Sequence, residues 1–311
     1  MNRLCFAVIT AFFIVLAFSH VPAFAASDQE KIKVFACEPE WAALAQEIGG
    51  DKVKPFSATS AMQNPHYIRA RPSLISKMRK ADLLLCSGAS LEIGWLPILL
   101  KKASSDLQPG SIGYIMASQL VNMLEVPVVV DRSMGDIHPE GNPHVHLNPY
   151  NLIIVGETLA DRLSSIDPEN ASFYKDNYQD FSSRFSTAIS RWESEAATLK
   201  GKPVVVHHQS FVYLLDWLGM NRVGTLEPKP GIPPTTSHLK NLLQQLRSSP
   251  ADVIIRTPYD PDGASEWLSE KTETRAIVLP YTIGGNEQSG DLFGLFENTI
   301  ALLKETYDVK R

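Results

Sequence analysis

Eight histidines are spread along the 311 residues, and three of them occupy positions suited to holding a metal ion. His66 ends the tripeptide Asn64-Pro65-His66, His144 ends Asn142-Pro143-His144, and His208 follows the run Pro203-Val204-Val205-Val206-His207. Neutral imidazole nitrogen binds zinc at ~2.0–2.1 Å in a tetrahedral shell. It also suits copper, iron and nickel, whereas an oxygen-only shell suits magnesium or calcium. Proline fixes its own φ and restricts the residue before it, so each Asn-Pro-His turn presents its imidazole on stiff backbone. A stiff ligand loop loses less entropy when the ion arrives. One histidine in a loop carries little meaning; two such tripeptides with a strand-end histidine pair point jointly to a cation site.

The remaining histidines have plainer expectations. His146, two residues after His144, points away from it in an extended stretch, toward solvent or behind the ligands. His207 faces inward from its strand and hydrogen bonds in the core. His138, in a polar loop, is either an ordinary loop residue or an accessory metal collector, and His238 sits in the first turn of a helix. A fourth ligand is expected from Asp291, which precedes the last helix after the glycine-rich run 283–290. Asp291 is equally suited to capping that helix, and one carboxylate could do both. Asp260, Asp262 and Glu287 compete for the role, and a water could also complete the shell.

The elements that must position these side chains follow from hydrophobic rhythm. Short β-rich runs alternate with helical stretches from Ile32 onward, which predicts an α/β fold of two lobes, each with a mostly parallel sheet flanked by helices. Strands are expected at 32–36, 53–56, 81–86, 112–116, 203–207, 222–226, 253–257 and 277–279. Helices are expected at 40–48, 72–79, 91–103, 211–218, 266–271 and 292–307, with Ser237 capping another. After Pro149 a helix runs to about Ser164. A second, opened by Asp167-Pro168, could continue to Leu199, some ~45 Å. That length suits one rigid helix joining two lobes. The expected organisation is a leader over 1–25, an N-terminal lobe over 26–165, a connecting helix over 166–200 and a C-terminal lobe over 201–311. Ligands of such folds bind beyond the C-terminal ends of the strands and between lobes.

Composition narrows the function. The chain is 44% hydrophobic and 20% charged with a net charge of −5, and its basic residues are scattered, which argues against nucleic acid. Arg3, an apolar run over 4–18 and Ala23-Phe24-Ala25 read as a cleaved secretory signal, too short for a membrane span. Cys5 lies too early in that run to be a lipid-anchoring cysteine. Cys37 and Cys86 each end a strand-like run; in an oxidising compartment they form either a disulfide or two buried thiols.

Taken together, these segments resemble a known family. The Asn-Pro-His turn followed by the Pro72-Ser73-Leu74 helix start, ADLLLCSGASLEIGWL, GNPHVHLNP, HHQSFVYLLDWLG, EPKPGIPP and LPYTIGG are similar to the zinc/manganese-type (cluster A-I, metal-binding lipoprotein/adhesin-like) substrate-binding proteins of ABC transporters, especially their zinc-binding branch. The resemblance covers essentially the whole mature chain. It implies two α/β lobes, a rigid connecting helix and a metal in the cleft. It places the ligands on His66, His144 and His208, the last because Phe211 and Tyr213 follow it at the family's offsets. The family's last carboxylate has no counterpart in Pro280-Tyr281-Thr282-Ile283-Gly284, which leaves Asp291 as the substitute. The branch's histidine-rich loop is reduced to His138 and its neighbours.

The function so implied is a periplasmic, monomeric solute-binding protein, not an enzyme. It captures Zn2+, with Mn2+ or another divalent transition metal as alternatives, and delivers it to an ABC permease and its ATPase. A secreted zinc hydrolase is the contrasting reading, since three histidines with an open position can activate water. Against it, there is no HExxH and no glutamate placed by motif as a general base. An adhesin or metallochaperone would use the same site.

Overall fold

The computed structural model describes residues 30–131 and 134–308. The expected secretory signal and its cleavage point lie outside the described residues. Two four-stranded sheets, all parallel, carry the fold. The first contains β1 (Ile32–Ala36), β2 (Val53–Ser57), β3 (Leu83–Cys86) and β4 (Tyr114–Met116) in the order β2-β1-β3-β4. The second contains β5 (Pro203–Val206), β6 (Asn221–Thr225), β7 (Val253–Arg256) and β8 (Arg275–Val278) in the order β6-β5-β7-β8. The two sheets therefore share one wiring, and in each the connections switch direction between the first strand and the third (β1 and β3, β5 and β7). That switch point is where a crevice opens beyond the strand ends.

Side chains alternate between the two faces of each sheet, and the core divides accordingly. Val34, Leu83 and Leu85 of the first sheet and Val204, Val206, Val253 and Ile255 of the second belong to one apolar cluster. Between them lie α1 (Pro39–Gly49), α4 (Pro149–Ile166), α5 (Ala171–Glu195), α6 (Val212–Leu218) and α9 (Leu292–Asp308), so the lobes share a core. The opposite faces are covered separately. Phe35 and Leu84 meet Leu74 and Met78 of α2 (Pro72–Met78) and Leu99 of α3 (Leu96–Leu100). Val205 and Ile254 meet Leu242 and Leu246 of α7 (Thr236–Ser248) and Leu268 of α8 (Gly263–Thr272).

The long helix is shorter than the sequence expectation. Pro168 opens a 3-10 turn over Pro168–Asn170, the α-helix occupies Ala171–Glu195, and a second 3-10 turn covers Ala197–Leu199. Its 25 residues span about 37 Å. Phe181, Phe185, Ile189 and Trp192 recur at helical spacing along it and are fully buried. Each such burial stabilises by about 1.5–3 kcal/mol, which fixes the helix as a strut between the lobes. The helix expected over 91–103 shrinks to α3, because Ala89 and Ser90 take left-handed backbone (φ 46° and 65°) and Pro97 sets a new helix start. The cap of α7 is Thr235, whose Oγ1 accepts from His238 N at 3.2 Å, not Ser237. Cys37 and Cys86 are joined by a disulfide that ties the ends of β1 and β3, with Cα atoms 4.8 Å apart. No helix among the described residues is long and apolar enough to cross a membrane.

Candidate metal centre

Each of the three expected histidines is aimed by its backbone and then held by its outer ring nitrogen. In the 3-10 turn Pro65–Tyr67, Asn64 Oδ1 accepts both the backbone N–H of His66 (3.0 Å) and its ring Nδ1–H (2.7 Å). Trp95 Nε1 donates to Pro65 O at 3.0 Å and pins this loop against the first lobe. The second Asn-Pro-His turn repeats the device in part. Asn142 Oδ1 accepts from His144 N at 3.1 Å, and Tyr213 of α6 donates its hydroxyl to Asn142 O at 3.0 Å. His144 Nδ1 lies 2.7 Å from Tyr281 Oη. Beyond β5, His208 Nδ1 lies 2.6 Å from Glu227 Oε2, which also accepts from Gly231 N at 2.9 Å.

With Nδ1 occupied in all three rings, Nε2 is the nitrogen left to face a metal. One ligand atom from each of His66, His144 and His208 lies within 4.8 Å of the others, and the ring centroids are 5.4–5.6 Å apart. His144 and His208 line a cleft of about 370 Å³ whose walls also include Asp136, His138, Asn142 and Pro230. Burial and the neighbouring imidazoles hold His66 and His144 well below the usual histidine pKa. Both rings therefore stay neutral, with a lone pair to offer, to lower pH than a free imidazole. A carboxylate behind an imidazole, as Glu227 is behind His208, fixes the tautomer and raises the ring's basicity toward a cation.

The structure does not bring Asp291 to this group. Asp291 is exposed beside Gln46 and Glu47, and its Oδ1 accepts from Gly294 N at 2.7 Å, so it caps α9. Asp260 Oδ2 is taken by Thr257 N at 2.9 Å, while Asp262 and Glu287 are exposed. His146 is not turned to solvent. The 3-10 turn Val145–Leu147 buries it completely, with Nε2 2.9 Å from Tyr281 O and Nδ1 3.1 Å from Glu40 Oε1, close enough to pair but poorly aligned for a hydrogen bond. His207 is buried as expected, but its Nδ1 has no hydrogen-bond partner. His238 serves the fold, because its Nε2–H donates to Thr225 O at 2.8 Å and seats α7 on β6.

Sequence reasoning missed Glu227 and Tyr281. Glu227 opens the EPKPGIPP segment, so a signal was present. Tyr281 stands in the stretch where a carboxylate was sought, and it meets the site through the back of His144.

The family described as ZnuA, zinc-uptake complex component A periplasmic, matches residues 34–306. The chain belongs to this family. Among its relatives, the manganese ABC transporter substrate-binding lipoprotein PsaA of Streptococcus mitis is 25% identical over 268 residues, covering 85% of this chain and 84% of that protein. Two solved structures share the fold. A crystal structure of ZnuA superposes with a TM-score of 0.74 at 16% identity, over 89% of this chain and 99% of the other. The Mn-bound periplasmic metal binding protein of Candidatus Liberibacter asiaticus superposes with a TM-score of 0.72 at 19% identity and the same coverage. These relatives are binding proteins, not enzymes, and at such identities the two superpositions speak for the fold alone.

Proposed function

We propose that this chain is the exported, periplasmic substrate-binding component of an ABC importer for a divalent transition metal, with zinc as its cargo and His66, His144 and His208 as its ligands. The observation that carries the reading is the convergence of three imidazoles whose outer nitrogens are already engaged by Asn64, Tyr281 and Glu227. Such a site is preorganised, so little order must be imposed when the ion enters. Family membership and the metal named for the S. mitis relative support the same class of cargo. The donor set argues for zinc over manganese, because imidazole nitrogen suits the borderline ions and manganese favours oxygen. The partners are a membrane permease and its ATPase, met on the exposed faces of the lobes. The shared core and the α5 strut favour loop ordering or a small tilt on release over a wide hinge.

The test is metal analysis of protein exported and purified without added metal, followed by competition titrations with zinc and manganese. The expected result is one ion per chain and tighter binding of zinc. Binding of neither metal at micromolar free concentration would remove the reading; tighter manganese would remove its zinc part.

A further inference from the structure

The sequence expectation makes His138 an ordinary loop residue or an accessory metal collector, yet its ring lies 5.3 Å from that of His66, no farther than the rings of His144 and His208. The Nε2 atoms of His138 and His66 lie 3.3 Å apart. His138 Nδ1 is 2.8 Å from Ala89 O, and a carbonyl only accepts, so the proton of the neutral ring is on Nδ1. His66 carries its proton on Nδ1 as well, facing Asn64 Oδ1, whose identity as oxygen is fixed because it also accepts a backbone N–H. In their neutral forms the rings thus point two lone pairs at each other. Two acceptors at that distance repel unless a cation lies between them. In a tetrahedral zinc shell with ~2.0–2.1 Å bonds, neighbouring ligand nitrogens are about 3.4 Å apart. The observed separation is that of one edge of such a tetrahedron.

The segment bearing His138 is built to cross the cleft. Residues 134–142 form a strap, anchored at one end where Asn142 N donates to Leu124 O at 2.8 Å. At its tip Asp136 N donates to Pro230 O at 2.8 Å, and Tyr67 Oη donates to Asp136 Oδ2 at 2.5 Å. Gly135 has φ 84°, and a Cβ there would sit 2.2 Å from Pro230 O, so only glycine lets the strap approach the second lobe this closely. On the first-lobe side, Ser90 Oγ donates to Glu140 Oε2 at 3.2 Å.

Resting on the metal-binding reading above, we propose that His138 is the fourth ligand, carried in by this strap, so that the ion is held by four imidazoles and no carboxylate. His138 lies outside the 4.8 Å grouping of the other three, so the strap draws inward as the ion binds. A shell of four neutral nitrogens suits zinc, copper or nickel and works against manganese.

The test uses the mature chain as wild type, His138→Ala and His138→Asp, with zinc-edge X-ray absorption to count imidazoles and chelator competition for affinity. The wild type is expected to show four imidazoles. His138→Ala should show three plus an oxygen ligand and bind zinc at least about tenfold more weakly, the lower limit for disturbing even an indirect partner of a metal. His138→Asp should shift the zinc-to-manganese preference toward manganese. His138 is a partly buried loop residue outside the apolar core, so the variants are expected to fold, and their thermal unfolding checks this. A three-imidazole wild-type spectrum with unchanged affinity in His138→Ala overturns this proposal and leaves the metal reading intact. A wild type that binds neither ion overturns both.

Discussion

One residue past β1, Cys37 donates its N–H to Leu85 O at 3.0 Å and accepts from Thr59 N at 3.2 Å. One residue past β5, His207 makes the same two bonds, to Ile255 O at 2.8 Å and from Glu227 N at 3.1 Å. The next residues, Glu38 and His208, are therefore counterparts at the switch points of two identically wired sheets. Around Glu38 the crevice is sealed. The Cys37–Cys86 disulfide spans it, Ser87 Oγ donates to Glu38 Oε2 at 3.2 Å, and the backbone of Ser87 and Gly88 donates to Glu92 at 2.9–3.2 Å. Around His208 the crevice is open, and the ring nitrogen not engaged by Glu227 faces the cleft. Cys37, Cys86 and Glu92 are also close enough together to suggest a metal group. Their sulfurs are bonded to each other, which leaves no thiolate, and both oxygens of Glu92 are already held by backbone N–H groups, so the group is poorly suited to an ion. Topology supplies two crevices; one presents imidazole nitrogens to a cleft, the other a disulfide and hydrogen-bonded carboxyl groups.

The comparison is most directly broken at the open end. His208→Ala should weaken zinc binding by well over the 10–100-fold expected for an indirect partner, while His207→Ala, one residue away and facing the core, should change it little. Isothermal titration of both variants checks this, and equal losses would mean that the ring facing the cleft has been misassigned. The next effect sharpens the role of Glu227. Glu227→Gln keeps the shape but removes the charge behind His208, and about tenfold weaker zinc binding is expected, with the ligand count in X-ray absorption unchanged. A loss of one imidazole from the spectrum would show that Glu227 positions the ring by more than its charge.

How legible the molecule is in its sequence depends on the distance over which each side chain acts. The strands and their parallel order follow from local apolar runs, and His66 and His144 declare themselves because their geometry is set within three residues by Asn and Pro. His208 is legible from its place at a strand end. What holds these rings is not: Tyr281 meets His144 across 137 residues, and Glu227 reaches His208 only because β6 ends beside β5. Asp291 shows the opposite failure. An aspartate before a helix carries the same local signal whether or not its loop reaches the cleft, and here it only caps. His146 misleads because a 3-10 turn, rather than extended chain, follows His144 and sends the ring inward to Glu40.

The smallest expected effect tests the sealed crevice and concerns stability alone. Desolvation pushes the Glu92 carboxyl up to about 7, against hydrogen bonds from Gly88 and Ser87 that work the other way. Burial, with Glu92 and Glu40 nearby, likewise holds Glu38 well above the usual range. A carboxyl with a higher pKa folded than unfolded binds more protons in the native state between those two values. Its favourable contribution is fully present below 4.5, the ordinary value, and is lost as pH rises through about 7. Glu92→Gln keeps an oxygen for Ser87 N and Gly88 N but never ionises. In urea unfolding of metal-free protein, the variant should therefore gain on the wild type from pH 5 to pH 8. The gain should reach about 1–3 kcal/mol at the upper end, since each tenfold change in proton affinity is worth about 1.36 kcal/mol. Keeping metal absent removes the linkage of ion binding to stability, and histidines common to both proteins cancel in the difference. Zinc affinity should be unchanged, because neither Glu92 nor Glu38 lines the cleft. A stability difference that stays flat with pH would mean that Glu92 ionises as readily as an exposed glutamate, and the sealed crevice would then hold charge as well as the open one.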